Sequence, residues 1–281
     1  MHARKALLTI IISLLPAFPA AGYDYLVEHF SCPEGLSDSN VMAMECDGNG
    51  IIWVGTHNGL NRYDGHRFRH YSLPAGHNII RYLCIDGEGM VWASTSWGVF
   101  RLNPWSETID SPVSDCQISQ IANVGDGNMA VVTADDRILV INTRNLSRKS
   151  INFPAKTLAV GDRDIYVLGK DDELYVTDAE FSRFVKFETA GGRNPFAENG
   201  GSKEIRYAAG YIFSGTPNNA FAIELRTGNV IRVPWVMTWK VIERPDGTLI
   251  AATNQGLYIL DRALNPISHY SQSEPSPGFL R

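Results

Sequence analysis

From residue 36 onward the chain alternates short apolar runs with short polar turns. Val41 to Glu45 and Ile51 to Thr56 are rich in apolar and β-branched residues, which suits strands. Between them, Asp47-Gly48-Asn49-Gly50 supplies the residues that tolerate positive φ in a tight hairpin. Gly59 marks the next turn, Leu60 to Asp64 a third strand and Phe68 to Tyr71 a fourth, so the unit predicts a four-stranded antiparallel meander. Ile51-Ile52-Trp53-Val54 is apolar on both faces, which requires the sheet to be covered on both sides.

The same unit recurs. At an offset of 39, Asp47-Gly48 meets Asp86-Gly87, Trp53 meets Trp92, Thr56 meets Thr95, and Gly59-Leu60 meets Gly98-Val99. A third unit keeps Asp126-Gly127 and Thr133 without the tryptophan; a fourth and fifth keep only the rhythm of strand and turn; a sixth restores Asp246-Gly247, Thr253 and Gly256-Leu257. Repeats of about 40 residues built from short strands predict propeller blades, whose radial stacking covers both faces of every sheet. The expected fold is therefore all-β, a β-propeller of six four-stranded antiparallel blades or an incomplete seven, over residues 23–270. Trp53 and Trp92 read as packing between blades. Tyr23 to Phe30 is strand-like and is expected either to lock the ring or to pair with a seventh unit.

These residues resemble the two-component regulator propeller repeat, whose units run Asp-x-x-Gly-x-hydrophobic-Trp-hydrophobic-Gly-Thr-x-x-Gly-Leu. The first unit matches with Asp47, Gly50, Trp53, Gly55, Thr56, Gly59 and Leu60; the second with Asp86, Gly89, Trp92, Thr95 and Gly98, with Ser94 and Val99 substituted. The lead-in Glu34 to Val41 is also similar to the family's opening. The resemblance implies a periplasmic sensor of the kind found in Bacteroidetes hybrid two-component systems, recognising glycan breakdown products. It also implies further sensor, membrane and kinase modules, so the chain is expected to be the start of such a sensor or a stand-alone relative, and homodimeric if part of a sensor kinase.

The first residues fit export. Arg4-Lys5, the apolar run Ala6 to Leu15, Pro16 and the small residues Ala20-Ala21-Gly22 have the order of a secretory signal peptide over residues 1–22. The run is too short to span a bilayer, which takes about 20 helical residues. No later stretch is apolar enough to span one, so the mature chain is expected to be periplasmic or secreted. Residues 271–281 form a polar, proline-containing tail.

Composition narrows the partners. With 25 Lys+Arg against 30 Asp+Glu the net charge is −5, which argues against nucleic acid, whose phosphates demand clustered bases. Cys32, Cys46, Cys84 and Cys116 allow three full pairings and show no C-x-x-C spacing, so neither zinc nor a redox motif is indicated. Small buried thiols, with at most one bridge among them, are expected.

Catalytic patterns are missing from the sequence. His57, His66, His70 and His77 fall on different strands and turns without H-E-x-x-H spacing, Asp47-Gly48-Asn49-Gly50 lacks the remaining ligands of a calcium loop, and Asp135-Asp136 and Asp171-Asp172 read as turn residues. No cofactor or metal is implied. A binding face follows from topology, because turns between second and third strands emerge on the same side as the blade connections. This side carries His57, Asn58, Ser96, Trp97 and Asn254 in turns, and Asn78 and Trp239 in connections. Amides and tryptophans suit an oligosaccharide or similar small polar ligand, and Trp97 stands at a turn with no core demand for an aromatic. The alternatives are a secreted propeller enzyme acting on polysaccharide, or a scaffold for protein contacts.

Overall fold

The computed structural model describes residues 30–74, 78–114, 116–215 and 219–271. The expectations for residues 1–22, for Tyr23 to His29 and for the tail after Ser271 lie outside the described residues, as does His77.

Six four-stranded antiparallel sheets form a β-propeller, each a simple meander in chain order. Blade 1 comprises Val41–Cys46, Ile52–Thr56, Gly59–Tyr63 and Phe68–Tyr71. Blade 2 comprises Tyr82–Ile85, Val91–Ser94, Gly98–Leu102 and Ile109–Ser114. Blade 3 comprises Ile118–Gly125, Asn128–Thr133, Arg137–Asn142 and Arg148–Asn152. Blade 4 comprises Ala155–Val160, Ile165–Gly169, Leu174–Thr177 and Val185–Lys186. Blade 5 comprises Ile205–Ala208, Tyr211–Gly215, Ala220–Glu224 and Val230–Arg232. Blade 6 comprises Thr238–Glu243, Leu249–Thr253, Gly256–Leu260 and Pro266–Tyr270.

The repeat motif is explained residue by residue. In blade 1, Asp47 Oδ1 accepts from the backbone N–H of Asn49 (2.9 Å) and Ile51 (3.0 Å), closing the hairpin, while Oδ2 accepts from Trp53 Nε1 at 3.3 Å. Asp86 repeats this on Glu88, Met90 and Trp92, the indole bond shortening to 2.8 Å. Gly50 and Gly89 sit at φ of 80° and 78°, which a side chain would strain. The buried threonines close the opposite turn: Thr56 Oγ1 donates to Gly59 O (3.1 Å) and accepts from Asn58 N (3.1 Å), and Thr253 does the same with Gly256 and Gln255.

Side chains between blades form five apolar clusters, one for each contact from blade 1 to blade 6. Trp53 packs with Ile80, Leu83 and Phe100 between blades 1 and 2, and Trp92 with Ile121 and Met129 between blades 2 and 3. Equivalent clusters join blades 3 and 4, 4 and 5, and 5 and 6. Both tryptophans are fully buried, as their reading as packing residues requires.

The contact of blade 6 with blade 1 is different. Ala43, Val241 and Tyr258 face the neighbouring clusters, so the alternating residues Met42, Met44, Ile242 and Leu257 point the other way, toward this seam, and all stay about half exposed. Among the described residues no apolar cluster crosses the seam; it is bridged at the inner strands by Lys240, whose ammonium reaches Glu45 Oε1 at 2.6 Å and Met44 O at 3.3 Å. Phe30 packs on the outer edge of blade 1, 4.9 Å from the Tyr63 ring and 5.5 Å from Phe68.

Among the described residues, helix is confined to a short excursion between blades 4 and 5. Asn194 Oδ1 accepts from Phe196 N and Ala197 N, capping the turn Pro195–Glu198 and seating Phe196 in the cluster between those blades. No helix among the described residues is long and apolar enough to cross a membrane. The four cysteines are unpaired, and Cys32 and Cys46 are exposed rather than buried, because each lies at the edge of blade 1 next to the seam or the lead-in. The Cys84 thiol is enclosed beside Ile121 O (3.6 Å), and burial, with the Glu45 charge, pushes it up to about 12.

Candidate functional site

The first strands of successive blades lie side by side around the axis, so the residues opening these strands meet at the centre of the upper face, the one carrying the second-to-third-strand turns. Tyr82, at the start of blade 2, reaches across to blade 5, where its hydroxyl donates to Glu204 Oε1. The other Glu204 oxygen is paired with Arg206, and Arg206 Nε donates to Trp239 O of blade 6 at 2.8 Å. Tyr82, Glu204 and Arg206 thus link three blades in one polar network at the mouth of the ring. Burial raises the Tyr82 phenol, and the Glu204 charge raises it further, so it remains a neutral donor.

The residues picked out from sequence are distributed around this mouth. Trp97 is 49% exposed in the turn of blade 2, its backbone fixed by Trp97 N donating to Thr95 Oγ1 (3.2 Å). Trp239 is 56% exposed at the start of blade 6, beside Arg206. His57 is exposed, and His57 N donates to Asn40 O. Asn58 spends its amide on Ser37 O (3.3 Å), tying the lead-in to blade 1. Asn254 Oδ1 accepts from Met237 N (2.9 Å), which does the same for the connection into blade 6. Ser96 O accepts from Ile118 N, joining blade 2 to blade 3. Asn78 is half-buried in the connection from blade 1, and its Oδ1 is buried without a partner among the described residues.

Three of the carboxylates in the upper turns are ion-paired within the protein, while Asp171 accepts from Tyr175 Oη (2.6 Å). Asp135 is paired with Arg137 and accepts from Thr133 Oγ1 (2.6 Å), and the Arg137 bond holds its carboxyl below the usual range. Asp136 pairs with Lys170 of blade 4, and Asp172 with Lys156. His70 and His269 bond the main-chain oxygens of Gly35 (2.6 Å) and Gln255 (2.7 Å) rather than a carboxylate.

Tyr82, Glu204 and Arg206 are absent from the sequence-based selection. The available signal is polarity at the openings of the first strands, Arg81-Tyr82 and Lys203-Glu204-Ile205-Arg206, where apolar residues would otherwise pack.

Residues 35–58, which hold the first Asp-hairpin, its tryptophan and the threonine turn, match the family described as two component regulator propeller. The chain carries a two-component regulator propeller repeat. A 63-residue stretch, 22% of the chain, is 40% identical to histidine kinase P4 of Formosa agariphila, of which it covers 5%. Among solved structures, the extracellular domain assigned to a hybrid two component system of B. thetaiotaomicron superposes with a TM-score of 0.68 at 18% identity, covering 89% of this chain and 37% of that one. The chain thus spans well under half the length of either. Virginiamycin B lyase from Staphylococcus aureus superposes with a TM-score of 0.69 at 13% identity, covering 84% of this chain and 85% of the lyase. At these identities the structural likenesses establish the propeller fold; the repeat match supplies the relation to two-component regulators.

Proposed function

We propose that this regulator-propeller chain is the exported ligand-recognising module of a two-component sensor, binding an oligosaccharide or similar polar solute at its upper mouth. The observation that carries this reading is the pairing of half-exposed Trp97 and Trp239 with the Tyr82–Glu204–Arg206 network on one face. Exposed aromatic rings take the C–H faces of sugars, and planar polar groups take their hydroxyls. The leader-like start at Arg4-Lys5 and Ala6 to Leu15 supports export to the periplasm. In this reading the chain senses without turnover, and a kinase module carries the output.

The likeness to virginiamycin B lyase keeps a second reading in play, a propeller enzyme. General acid–base work needs a base within hydrogen-bond reach of the reacting proton, oriented by a partner. The described histidines that make side-chain bonds are held by main-chain oxygens instead, which favours binding.

A panel of plant and algal oligosaccharides incubated with the purified chain separates the two. Retention of a glycan recovered unchanged is expected. Any cleaved product identified by chromatography would overturn the binding reading, and retention that survives both Trp97→Ala and Trp239→Ala would overturn the choice of face.

A further inference from the structure

On the opposite face, a groove of about 560 Å³ runs between the Asp47 and Asp86 hairpins of blades 1 and 2, lined also by Arg62 and by the Pro104-Trp105 turn. Trp105 is 67% exposed, the most of any large apolar side chain among the described residues. It is nevertheless firmly seated. Its backbone N donates to Asn103 Oδ1 (2.9 Å), and its ring tip lies over Gly89, where an added Cβ would come within 2.9 Å of Cη2. An aromatic ring held rigid and left in water gives up little entropy when a ligand covers it.

Arg62 lines the same groove. Its counterpart one repeat later, Arg101, is fully engaged: it bonds Asp110 Oδ2 at 2.5 Å and Thr143 O at 2.5 Å, and lies 5.8 Å over the Trp92 ring. Arg62 makes no hydrogen bond or ion pair among the described residues, although it is half-buried. Its cross-strand neighbour is another cation, Arg69, which is paired with Glu107. Like charges directly opposite on a sheet are destabilising, and the attraction that Arg62 offers blade 1 is a contribution to the field at Asp64, whose carboxyl is held low mainly by the backbone N–H groups of Arg67 and His66. The groove's own carboxylates are committed elsewhere. Asp47 and Asp86 each accept two backbone N–H bonds and an indole bond, and Glu88 is paired with Arg144 at 2.7 Å.

We propose that this groove is a second saccharide subsite, with a pyranose ring stacked on Trp105 and its hydroxyls accepting from Arg62. The ligand class is the one proposed above for the upper mouth; the site is separate. The subsite selects neutral sugars, because the charges of Asp47 and Asp86 outweigh the single unpaired cation and leave no surplus for an anionic chain.

Indole N–H signals of the ¹⁵N-labelled chain, assigned by single Trp→Phe substitutions, report on both faces in one titration. The probes are cello-, laminari-, xylo- and maltohexaose, with hexagalacturonate as the acidic arm. The expected result is a saturable shift of the Trp105 signal with at least one neutral hexaose, weakened about tenfold by Arg62→Ala. That variant is expected to melt at the same temperature as the parent or higher, since it relieves the pair with Arg69. A Trp105 signal unmoved by every neutral hexaose, unaffected by Arg62→Ala, or titrated more tightly by hexagalacturonate overturns the subsite. Shifts at Trp97 and Trp239 alone would overturn the groove and leave the upper mouth standing; a shift at Trp105 alone would do the reverse.

Discussion

Replacing Asp86 by Ala tests the claim that the repeat's aspartate is a structural fastener. Asp86 is 6% exposed and accepts three hydrogen bonds, from Glu88 N (3.0 Å), Met90 N (3.0 Å) and Trp92 Nε1 (2.8 Å). The Trp92 indole is fully buried, so no water replaces the lost acceptor. An orphaned buried donor costs about 1–3 kcal/mol, and loss of two charge-assisted hairpin bonds adds to that, giving a total of about 3–4 kcal/mol. For a chain of this size the melting temperature should fall by roughly 10 °C. Asp86→Asn preserves Oδ1 as an acceptor but can set an amide N–H against the indole N–H, so it should recover less than half of the loss. Asp47→Ala should cost about half as much as Asp86→Ala, because Asp47 is more exposed and its indole bond is longer, at 3.3 Å. Thermal melts followed by circular dichroism check the series. A fall below about 3 °C for Asp86→Ala, or equal falls at Asp47 and Asp86, would refute the fastener argument.

Other consequences follow from packing, charge and the seam. A Cβ at Gly55 would stand 2.5 Å from Ile80 Cγ2, so Gly55→Ala should destabilise by about 1–3 kcal/mol in the parent and by less in an Ile80→Ala background, which lacks Cγ2, read as a double-mutant cycle in urea. Lys240→Ala removes a half-exposed pair worth at most about 1 kcal/mol, yet it should speed amide exchange in Val41–Cys46 and Thr238–Glu243 well beyond that in Asn128–Thr133, because among the described residues Lys240 is the side chain that bridges those strands. Cys84 has its thiol raised by burial to about 12, so the stability it confers is complete below its ordinary value near 9 and is lost as pH rises from there toward 12. At pH 8, thiol reagents should therefore label Cys32 and Cys46 rapidly and Cys84 only on unfolding, a result mass spectrometry reads directly.

Local features were legible in the sequence wherever a single unit determines them. The offset of 39 places Asp47, Asp86 and their hairpins; Thr56, Thr133 and Thr253 end second strands beside the upper turns, and Thr95 directly follows one. Trp53 and Trp92 were readable as packing because they interrupt runs that are apolar on both faces. Features that depend on which blades meet were not readable. Tyr82 and Glu204 are 122 positions apart and come together only because blades 2 and 5 face each other across the axis. The excursion around Pro195–Glu198 sits where the fourth and fifth units keep only a strand rhythm, and the two-residue outer strand Val185–Lys186 has no pattern of its own. Asn58 and Asn254 illustrate a subtler limit. Their amides look like ligand donors in sequence, whereas in three dimensions each secures a chain entering its blade. Trp105 differs from Trp53 and Trp92 in lying in a turn after Pro104 rather than inside a strand, but its 67% exposure and its place in the groove follow from how blades 1 and 2 meet.

The seam bears on function as well as stability. Five apolar clusters make blades 1 to 6 a continuous packed arc, while blades 6 and 1 meet through Lys240 and half-exposed apolar side chains. Trp239 lies at the blade 6 side of that opening and Tyr82 and Arg206 in the packed arc. A ligand that contacts Trp239 and the network together would therefore tie blade 6, at one side of the seam, to blade 2 across the axis. Binding at the mouth would then be felt at the seam.

Calorimetry of the chain with an oligosaccharide retained from the panel, set beside its Trp97→Ala, Trp239→Ala and Arg206→Ala variants, tests recognition at the upper mouth most directly. The expected result is stoichiometric binding that Trp239→Ala and Arg206→Ala each weaken about tenfold or more, for loss of a stacked ring or a charge-assisted donor. Affinity unchanged in all three variants would contradict it.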